Sequence, residues 1–177
     1  AEKIRNIGQK VNSSIEDSKI LEVGSGRNPI VPLYLWLYGA TRVTTCDLNP
    51  YFKEELWIES IQWIRRSKIL TSKIFSDAIP DRIIELTNNN EFITEGKILK
   101  ALHDIGIDYL APADASMLPF EEYYFDAHIS YTVLEHIPRN IIINIFSEAK
   151  RIVRPGGVAI HNIDYTDHFA YSDQKIS

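Results

Sequence analysis

The stretch I-L-E-V-G-S-G-R-N-P at residues 20–29 decides the fold, because a short apolar segment runs directly into a turn with two glycines. A strand that ends in a tight turn, with its backbone against a ligand, needs residues without Cβ, and Gly24 and Gly26 meet this need. Glu22 stands just before the turn, and Ser25 is free to face the ligand. The stretch predicts a strand-to-helix turn at a nucleotide-type cofactor site, although such turns also occur without a ligand.

Pro29 narrows the kind of cofactor. The dinucleotide fingerprint G-x-G-x-x-G requires a third glycine where this chain has Pro29, because strand and helix pack closely there. A nicotinamide-dependent oxidoreductase is therefore disfavoured, although it would share the glycine turn.

Composition favours one globular domain over residues 1–177, since 45% of the residues are hydrophobic and 24% are charged. The net charge of -5 disfavours nucleic acid and anionic membrane surfaces as partners. Cys46 is the only cysteine, and no apolar run approaches a membrane span. We expect a cytoplasmic protein with a small-molecule partner, and the oligomeric state stays open.

Strand and helix patterns alternate along the chain, which predicts an α/β fold: a Rossmann-like, doubly wound, mostly parallel sheet with helices on both faces. A helical pattern at residues 4–15 precedes the first strand, and another begins near residue 138. The inner face of the second is expected to consist of Ile141, Ile142, Ile145, Phe146, Ala149 and Ile152. The motif R-P-G-G at 154–157 is expected to stop that last helix. The strands are expected at residues 19–23, 42–46, 108–112, 125–130 and 158–163.

The helical segment at about residues 51–106 is longer than a usual crossover between two parallel strands. It is predicted to be an insertion within the single domain, where it forms a lid, an oligomer contact or simply core. No further strand pattern follows residue 163, so C-terminal strands are expected to be missing or truncated.

Three polar positions follow predicted strands: Asp47 after the second, Asp114 after the third and Ser130 at the end of the fourth. Ligands bind at the carboxyl ends of strands in open α/β sheets, so these positions are expected to converge. Asp47 lies 21 residues beyond Gly26 (47 − 26), a distance at which an acid accepts hydrogen bonds from both ribose hydroxyls. Each acid alone could instead cap a helix.

An ordered series of motifs resembles the class I S-adenosylmethionine-dependent methyltransferases, over about residues 20–163. It consists of E-V-G-S-G at 22–26, C-D-L at 46–48, D-A-S-M-L-P-F at 114–120, V-L-E-H-I at 133–137 and R-P-G-G at 154–157. The glycine turn is generic, whereas the order of the later motifs is specific. The resemblance implies S-adenosyl-L-methionine as the cofactor.

The resemblance also implies roles for individual residues. Glu22 and the backbone of Gly24 would face the methionine amino group, and Gly26 would line the cofactor. Ser130 would contact the methionine end through its backbone. The adenosine part would be held by Asp47 at the ribose, by Leu48 on the adenine face, and by Asp114 and Ala115 at the adenine edge.

Candidate catalytic residues are His136, His161 and Asp164. A base is needed only if the acceptor must lose a proton, and histidine exchanges a proton near neutral pH. His136 can equally brace the fold. His161 and Asp164, with Asp167 and His168, also resemble a set of ligands for a divalent cation, but an irregular segment need not bring them together, so no metal is predicted.

The methyl acceptor is expected to be small and polar. The segment at residues 162–169 resembles methyltransferases of sugar or polysaccharide pathways, which favours a sugar or another hydroxyl, with a protein or lipid acceptor as the next choice. A non-catalytic cofactor-binding or scaffolding domain is the alternative function.

Overall fold

The computed structural model describes residues 15–67 and 75–165, so nearly all of the expected helix at 4–15 lies outside the described residues. The strands are β1 (Lys19–Val23), β2 (Arg42–Cys46), β3 (Ile107–Leu110), β4 (Phe125–Tyr131) and β5 (Val153–Asn162). The α-helices are α1 (Ile30–Leu37), α2 (Glu54–Arg66), α3 (Pro80–Asn88), α4 (Ile98–Asp104) and α5 (Arg139–Ile152). Short 3-10 helices span Asn90–Ile93 and Leu134–His136.

The five strands form one sheet in the order β3-β2-β1-β4-β5, and every neighbouring pair is parallel. The Rossmann-like fold class is thereby confirmed. The chain winds outward from β1 in one direction to β3 and in the other through β4 to β5, so the order reverses between β1 and β4. Ligands of open α/β sheets bind beside such a reversal. The expectation of missing strands concerns residues after 165, which lie outside the described part.

Side-chain alternation in β1 directs its residues to two separate cores. Ile20 packs in a cluster with Leu35 of α1, whereas Leu21 packs in a cluster with Ile152 of α5. The helices α1 and α5 therefore cover opposite faces of the sheet. By the same alternation Glu22 lies on the α1 face.

The segment between β2 and β3 contributes to the core. Its residues join Leu33, Trp36 and Leu37 of α1 in the largest buried cluster. Trp57 of α2 is fully buried, and its Nε1 donates a hydrogen bond to the carbonyl oxygen of Phe92 at 2.9 Å. Of the three roles expected for this segment, core packing is the one visible in its described residues, while residues 68–74 lie outside them.

The expected boundary between α5 and β5 was wrong. The helix ends at Ile152, and residues 154–157 lie within β5 rather than in a stop before it. Between the pairs Phe125–Val153 and Ala127–Val158 the register advances two residues on β4 and five on β5. Gly157 permits this bulge, because a Cβ there would lie 2.6 Å from the carbonyl oxygen of Asp126.

The buried face of α5 also differs from the expected one. Ile145, Ala149 and Ile152 are buried as predicted, but Ile141 and Phe146 are each 39% exposed. Glu148, which the sequence analysis did not single out, is buried instead. Its Oε1 accepts a hydrogen bond from the backbone N–H of Leu118 at 2.8 Å, and Arg151 donates to both carboxylate oxygens.

The strands β1 and β2 have the predicted bounds. The strand β3 ends at Leu110, two residues earlier than predicted, because Pro112 has no N–H for a sheet hydrogen bond. Within the described residues, no helix has both the length and the apolar character needed to cross a bilayer.

Candidate active site

A cavity of about 800 Å³ opens at the carboxyl ends of the central strands, beside the reversal of strand order. Its size falls within the range of small-molecule sites, about 300–1,000 Å³. Its wall includes most of the predicted cofactor residues: Glu22, Gly24, Ser25, Gly26, Asp47, Leu48, Asp114 and Ala115. Ser130, the remaining one, is not among the lining residues, although its neighbour Tyr131 is.

The two glycines of the turn serve different purposes. Gly24 has φ +91°, and a Cβ on it would lie 2.3 Å from Cγ2 of Val133, so this position tolerates no side chain. Gly26 has φ +59°, and a Cβ there would meet no atom within 4 Å. Because Gly26 lines the cavity, its missing side chain leaves the backbone open to a ligand.

Asp47 is oriented by two backbone N–H groups. Its Oδ2 accepts from Gly26 at 3.0 Å and its Oδ1 accepts from Asn49 at 3.1 Å. Each carboxylate oxygen has a further lone pair for a ligand hydroxyl. The pair of bonds therefore presents both oxygens of Asp47 in a defined direction at the cavity.

Asp114 is held in a similar way by the turn that follows it. Its Oδ1 accepts from the backbone N–H of Ser116 at 2.8 Å and from the Ser116 hydroxyl at 2.7 Å. These hydrogen bonds hold the pKa of the Asp114 carboxyl below its usual value. Asp114 is therefore an ionised acceptor at neutral pH.

Glu22 is the buried acid of the cavity wall, with only 3% of its surface exposed. It is the register partner of Thr45 on β2, whose hydroxyl donates to Glu22 Oε2 at 2.6 Å. Burial raises the pKa of the Glu22 carboxyl to about 7, against the lowering effect of the Thr45 hydrogen bond. The nearby charge of Asp47 raises it further.

Two buried polar atoms in the cavity wall have no hydrogen-bond partner within the described residues, namely Ser25 Oγ and Asn28 Oδ1. The amide nitrogen of Asn28 donates to Ser60 Oγ at 2.9 Å, which fixes the orientation of the side chain. Buried polar atoms in native proteins are nearly always satisfied. Four other such atoms belong to described residues that do not line the cavity, so these two add polar groups to the wall without by themselves defining a ligand.

The three predicted catalytic residues are divided between two places. His136 lines the cavity, at the end of the short 3-10 helix after β4. His161 and Asp164 are not among the lining residues. The backbone N–H of Asp164 donates to Glu135 Oε1 at 3.3 Å, which ties the chain after β5 to the residue beside His136.

His161 instead belongs to a second polar group, the histidine cluster, formed by His128, Ser130 and His161. Its Nδ1 lies 2.8 Å from Ser130 Oγ, and its Nε2 lies 3.4 Å from Nδ1 of His128. His128 is fully buried, and burial lowers its pKa to about 4. Burial also lowers the pKa of His161. Both imidazoles are therefore neutral at pH 7.

Neither His128 nor the contact between the Ser130 side chain and His161 was predicted from the sequence. The register supplies the reason: Ser130 pairs with Val23 and His128 with Leu21, so both lie on the α5 face of the sheet. The contact of the Ser130 backbone with a cofactor stays a prediction. Strand alternation predicts that Ser130 and His128 share a face, but not which strand lies beside them.

Two of the four candidate metal ligands, Asp167 and His168, follow residue 165 and lie outside the described residues. Within the described part, no three or more histidine, cysteine or acidic side chains are grouped as a metal site would require.

A glycine turn, two oriented carboxylates and a cavity at the reversal of a parallel sheet define a nucleotide-cofactor protein with a Rossmann-like fold. Residues 70–161 match the model of a family described as "Methyltransferase domain". This match covers 92 residues (161 − 70 + 1), more than half of the chain, so the chain belongs to that methyltransferase domain family. The glycine turn precedes the matched range.

Solved structures share the fold at low identity. The PH0226 protein of Pyrococcus horikoshii has a TM-score of 0.54 and 14% identity, over 98% of this chain and 57% of its own. A proposed methyltransferase of Bacillus halodurans has a TM-score of 0.51 and 16% identity, over 99% of this chain and 57% of its own. A proposed S-adenosyl-L-methionine-dependent methyltransferase of Methanococcus maripaludis has a TM-score of 0.50 and 16% identity, over 88% of this chain and 52% of its own.

The TM-scores show a common fold, that of the class I methyltransferases predicted from the sequence. The chain spans little more than half the length of these proteins, from 52% to 57%. No curated protein matches the chain.

Proposed function

We propose that this chain binds S-adenosyl-L-methionine in the cavity and is part of an enzyme that transfers the methyl group to a hydroxyl of a small-molecule acceptor. The supporting observation is that the glycine turn, Asp47 and Asp114, which are far apart in sequence, line one cavity at the carboxyl ends of the strands. Membership of the methyltransferase domain family agrees with this proposal.

The adenosine part of the cofactor would be recognised by oriented acceptors. Asp47 would take the ribose hydroxyls, Asp114 the exocyclic amine of the adenine, and Ala115 would offer its backbone. Leu48, 67% exposed at the cavity wall, would be covered by the adenine face.

The methionine part would lie along the glycine turn. Gly26 leaves the backbone accessible there, and Ser25 Oγ is an unsatisfied polar atom on the same turn. Glu22 would face the amino group, and the backbone of Ser130 would contact the same end of the cofactor.

Bound S-adenosyl-L-methionine supplies a methyl group on a positively charged sulfur, and this charge disappears on transfer. The chain then has little charge to stabilise, and holding the acceptor oxygen in line supplies much of the acceleration. The cavity wall includes the apolar side chains of Val31, Ile141 and Ile145, which would limit access of water. His136, which lines the same wall, would accept the hydroxyl proton.

For the acceptor we retain the sequence-based choice of a sugar or another small hydroxyl compound, and a cytoplasmic location. His161 and Asp164 lie apart from the cavity lining, so a catalytic role for them requires that the acceptor extend beyond that lining. In a non-catalytic cofactor-binding domain, the cavity would bind the cofactor and His136 would only brace the fold.

Calorimetry with S-adenosyl-L-methionine and, separately, NAD tests the proposal. We expect binding of the first and none of the second. Binding of NAD alone would overturn it in favour of an oxidoreductase.

A methyl-transfer assay with a panel of sugars and other hydroxyl compounds then tests catalysis, with His136→Gln as the variant. We expect His136→Gln to lower turnover on a hydroxyl acceptor while cofactor affinity stays within twofold. Cofactor binding without transfer to any acceptor, by the full-length protein, would support the non-catalytic alternative.

A further inference from the structure

The segment between β3 and β4, residues 111–124, supplies part of the cavity wall although these residues form neither a helix nor a strand. Asp114 and Ala115 line the cavity, whereas Met117, two residues further on, is exposed. A segment without regular structure needs contacts from other elements to keep one conformation, because fixing its backbone costs entropy. The position of the Asp114 carboxylate therefore depends on what holds this segment.

The first part of the segment is held at the end of β2, where the backbone N–H of Ala113 donates to the carbonyl oxygen of Asp47 at 2.8 Å. A turn follows, in which the N–H of Met117 donates to the carbonyl oxygen of Asp114 at 3.0 Å. The side chain of Asp114 accepts its hydrogen bonds from Ser116, within the same turn. These bonds fix the shape of the turn but do not attach its far side to the rest of the protein.

The far side is attached to α5 by Glu148 and Arg151, which we call the α5 clamp. Glu148 Oε1 accepts from the backbone N–H of Leu118 at 2.8 Å. Arg151 donates to the carbonyl oxygens of Phe120 at 2.8 Å and Leu118 at 3.2 Å. It also donates to both carboxylate oxygens of Glu148, at 2.8 and 2.6 Å, and its own carbonyl oxygen accepts from the N–H of Tyr123 at 3.0 Å.

Core packing alone does not account for a buried acid at position 148. Glu148 is 9% exposed and shares the buried face of α5 with Ile145 and Ile152. Apolar residues in place of a buried ion pair are often equally or more stabilising, because charges lose their hydration on burial. An apolar side chain could not, however, accept the N–H of Leu118. The specific effect of the clamp is therefore to fix the segment at one place against α5.

The groups that the clamp fixes have a donor–acceptor pattern that distinguishes purine bases. An ionised carboxylate such as that of Asp114 only accepts, and the backbone N–H of Ala115 only donates. Adenine offers an amine donor beside a ring-nitrogen acceptor, whereas hypoxanthine has a carbonyl oxygen and a ring N–H in these places. A fixed segment thus matches adenine and opposes hypoxanthine, while a segment free to shift does both less well.

We propose that Glu148 and Arg151 are positioning residues for base recognition, which act through Asp114 and set the preference of the cavity for adenine over hypoxanthine. The inference rests on the proposed function, since it assumes that Asp114 and Ala115 meet the edge of the cofactor base. Neither residue of the clamp lines the cavity, so their effect reaches the ligand only through the segment.

Calorimetry with S-adenosylhomocysteine and S-inosylhomocysteine, which differ only in the base, measures this preference as a ratio of affinities. We expect a ratio of about a hundred or more in the wild type, because the second ligand opposes a carboxylate with a carbonyl oxygen. The main variant is Glu148→Gln/Arg151→Met, which removes both charges together and keeps an oxygen for the N–H of Leu118. We expect its ratio to be at least tenfold lower.

The ratio separates positioning from a merely structural role. General destabilisation weakens the binding of both ligands alike, so a ratio that stays within twofold of the wild-type value in this variant would overturn the inference. Urea unfolding shows whether the variant is folded. Arg151→Lys, which keeps the charge but not the planar fork of donors, provides the same comparison in a milder form, with an intermediate ratio expected.

The chain offers a matched control in a second ion pair. Arg42 donates to both carboxylate oxygens of Asp108, at 2.6 and 3.0 Å, and the pair lies at the amino ends of β2 and β3, away from the cavity. We expect Arg42→Met/Asp108→Asn to keep the wild-type ratio within twofold, whatever its effect on stability. A fall equal to that of the clamp variant would overturn the inference.

A mutant cycle with Asp114→Ala tests whether the clamp acts through this carboxylate. We expect Asp114→Ala to lower the ratio by itself and to abolish the further effect of Glu148→Gln/Arg151→Met, because residues that act through one group are not additive. A tenfold effect of the clamp that persists in Asp114→Ala would contradict the proposal.

The outcomes distinguish this inference from the proposed function. A strong preference for adenine that the clamp variants leave unchanged overturns the role of Glu148 and Arg151 and leaves the proposed function intact. A wild-type protein that does not bind S-adenosylhomocysteine overturns both.

Discussion

The cavity and the histidine cluster both lie toward the carboxyl ends of strands, and each contains a buried titratable group. Glu22 in the cavity wall has a pKa raised to about 7, and His128 in the cluster has a pKa lowered to about 4. The two groups differ in whether the neighbouring residues leave space beside the side chain. Glu22 faces a cavity of about 800 Å³, whereas His161 and Ser130 pack beside His128 on the other face of the sheet.

Position at the end of a strand is therefore not sufficient to define a site. The face on which the side chain lies decides whether it meets a ligand or the core. Glu22 and Thr45 share the face of α1, and His128 and Ser130 share that of α5. We accordingly expect substitutions in the cavity wall to change ligand binding and those in the cluster to change stability.

The largest expected effect is on cofactor affinity in the double variant Asp47→Ala/Asp114→Ala. Each carboxylate offers hydrogen bonds that are worth about 1.5–3 kcal/mol. Loss of both should weaken binding of S-adenosyl-L-methionine by about a hundredfold or more. Calorimetry measures the change.

Asp104→Asn is the matched control, because Asp104 is an exposed acid that pairs with Lys100 at the end of α4. We expect it to bind like the wild type. A double variant at positions 47 and 114 that also binds like the wild type would contradict the assignment of the cavity.

The parts of this site that the sequence predicts are those that depend on local chemistry. Gly24 is recognisable because only glycine tolerates its backbone angle and its close contact with Val133, and Gly26 because it completes the same turn. Asp47 is recognisable because it follows an apolar strand. Glu148 was missed because a charged helical residue usually faces solvent, although its spacing from Ile145 and Ile152 places it on the buried face.

Features that depend on pairing between distant segments could not be predicted. The motif at residues 154–157 contains a proline and two glycines, which locally indicate a helix stop, but pairing with β4 turns it into a bulge. The contact between Ser130 and His161 likewise exists only once β4 and β5 are neighbours.

The two glycines of the turn give the next largest effect, and it differs between them. Gly24→Ala places a methyl group 2.3 Å from Val133, so we expect a loss of roughly 3–4 kcal/mol in the free energy of unfolding. Gly26→Ala meets no atom, and we expect a loss of about 1 kcal/mol.

Urea unfolding of both variants, with calorimetry of cofactor binding, checks this pair. We expect Gly26→Ala to reduce the free energy of cofactor binding by more than it reduces the free energy of unfolding. Equal destabilisation by the two substitutions would show that the turn is not held against Val133 as described.

We expect the histidine cluster to make the free energy of unfolding depend on pH. Between about pH 6.5 and pH 4 the unfolded chain binds a proton at His128 that the folded chain does not, so the free energy of unfolding falls as the pH falls. The difference in pKa corresponds to about 3 kcal/mol over this range.

Urea unfolding of the wild type and of His128→Asn at pH 7 and pH 4 isolates this contribution, because Glu22 and other groups titrate in both proteins. We expect the wild type to lose about 3 kcal/mol more than the variant. Parallel pH profiles would mean that His128 is not held neutral by burial.

The smallest expected effect is on cofactor affinity in His161→Ala and Asp164→Ala. Neither residue lines the cavity, so we expect affinities within twofold of the wild type, with any loss confined to turnover on the acceptor. Calorimetry and a transfer assay separate the two readouts. A tenfold loss of cofactor affinity in His161→Ala would show that the histidine cluster and the cavity are one site.

A crystal structure of the chain with S-adenosylhomocysteine tests the central claim most directly. We predict that the ligand lies in the cavity, with its ribose hydroxyls within hydrogen-bonding distance of Asp47 and its adenine amine at Asp114. A ligand bound at the histidine cluster, or one in the cavity that contacts neither acid, would contradict it.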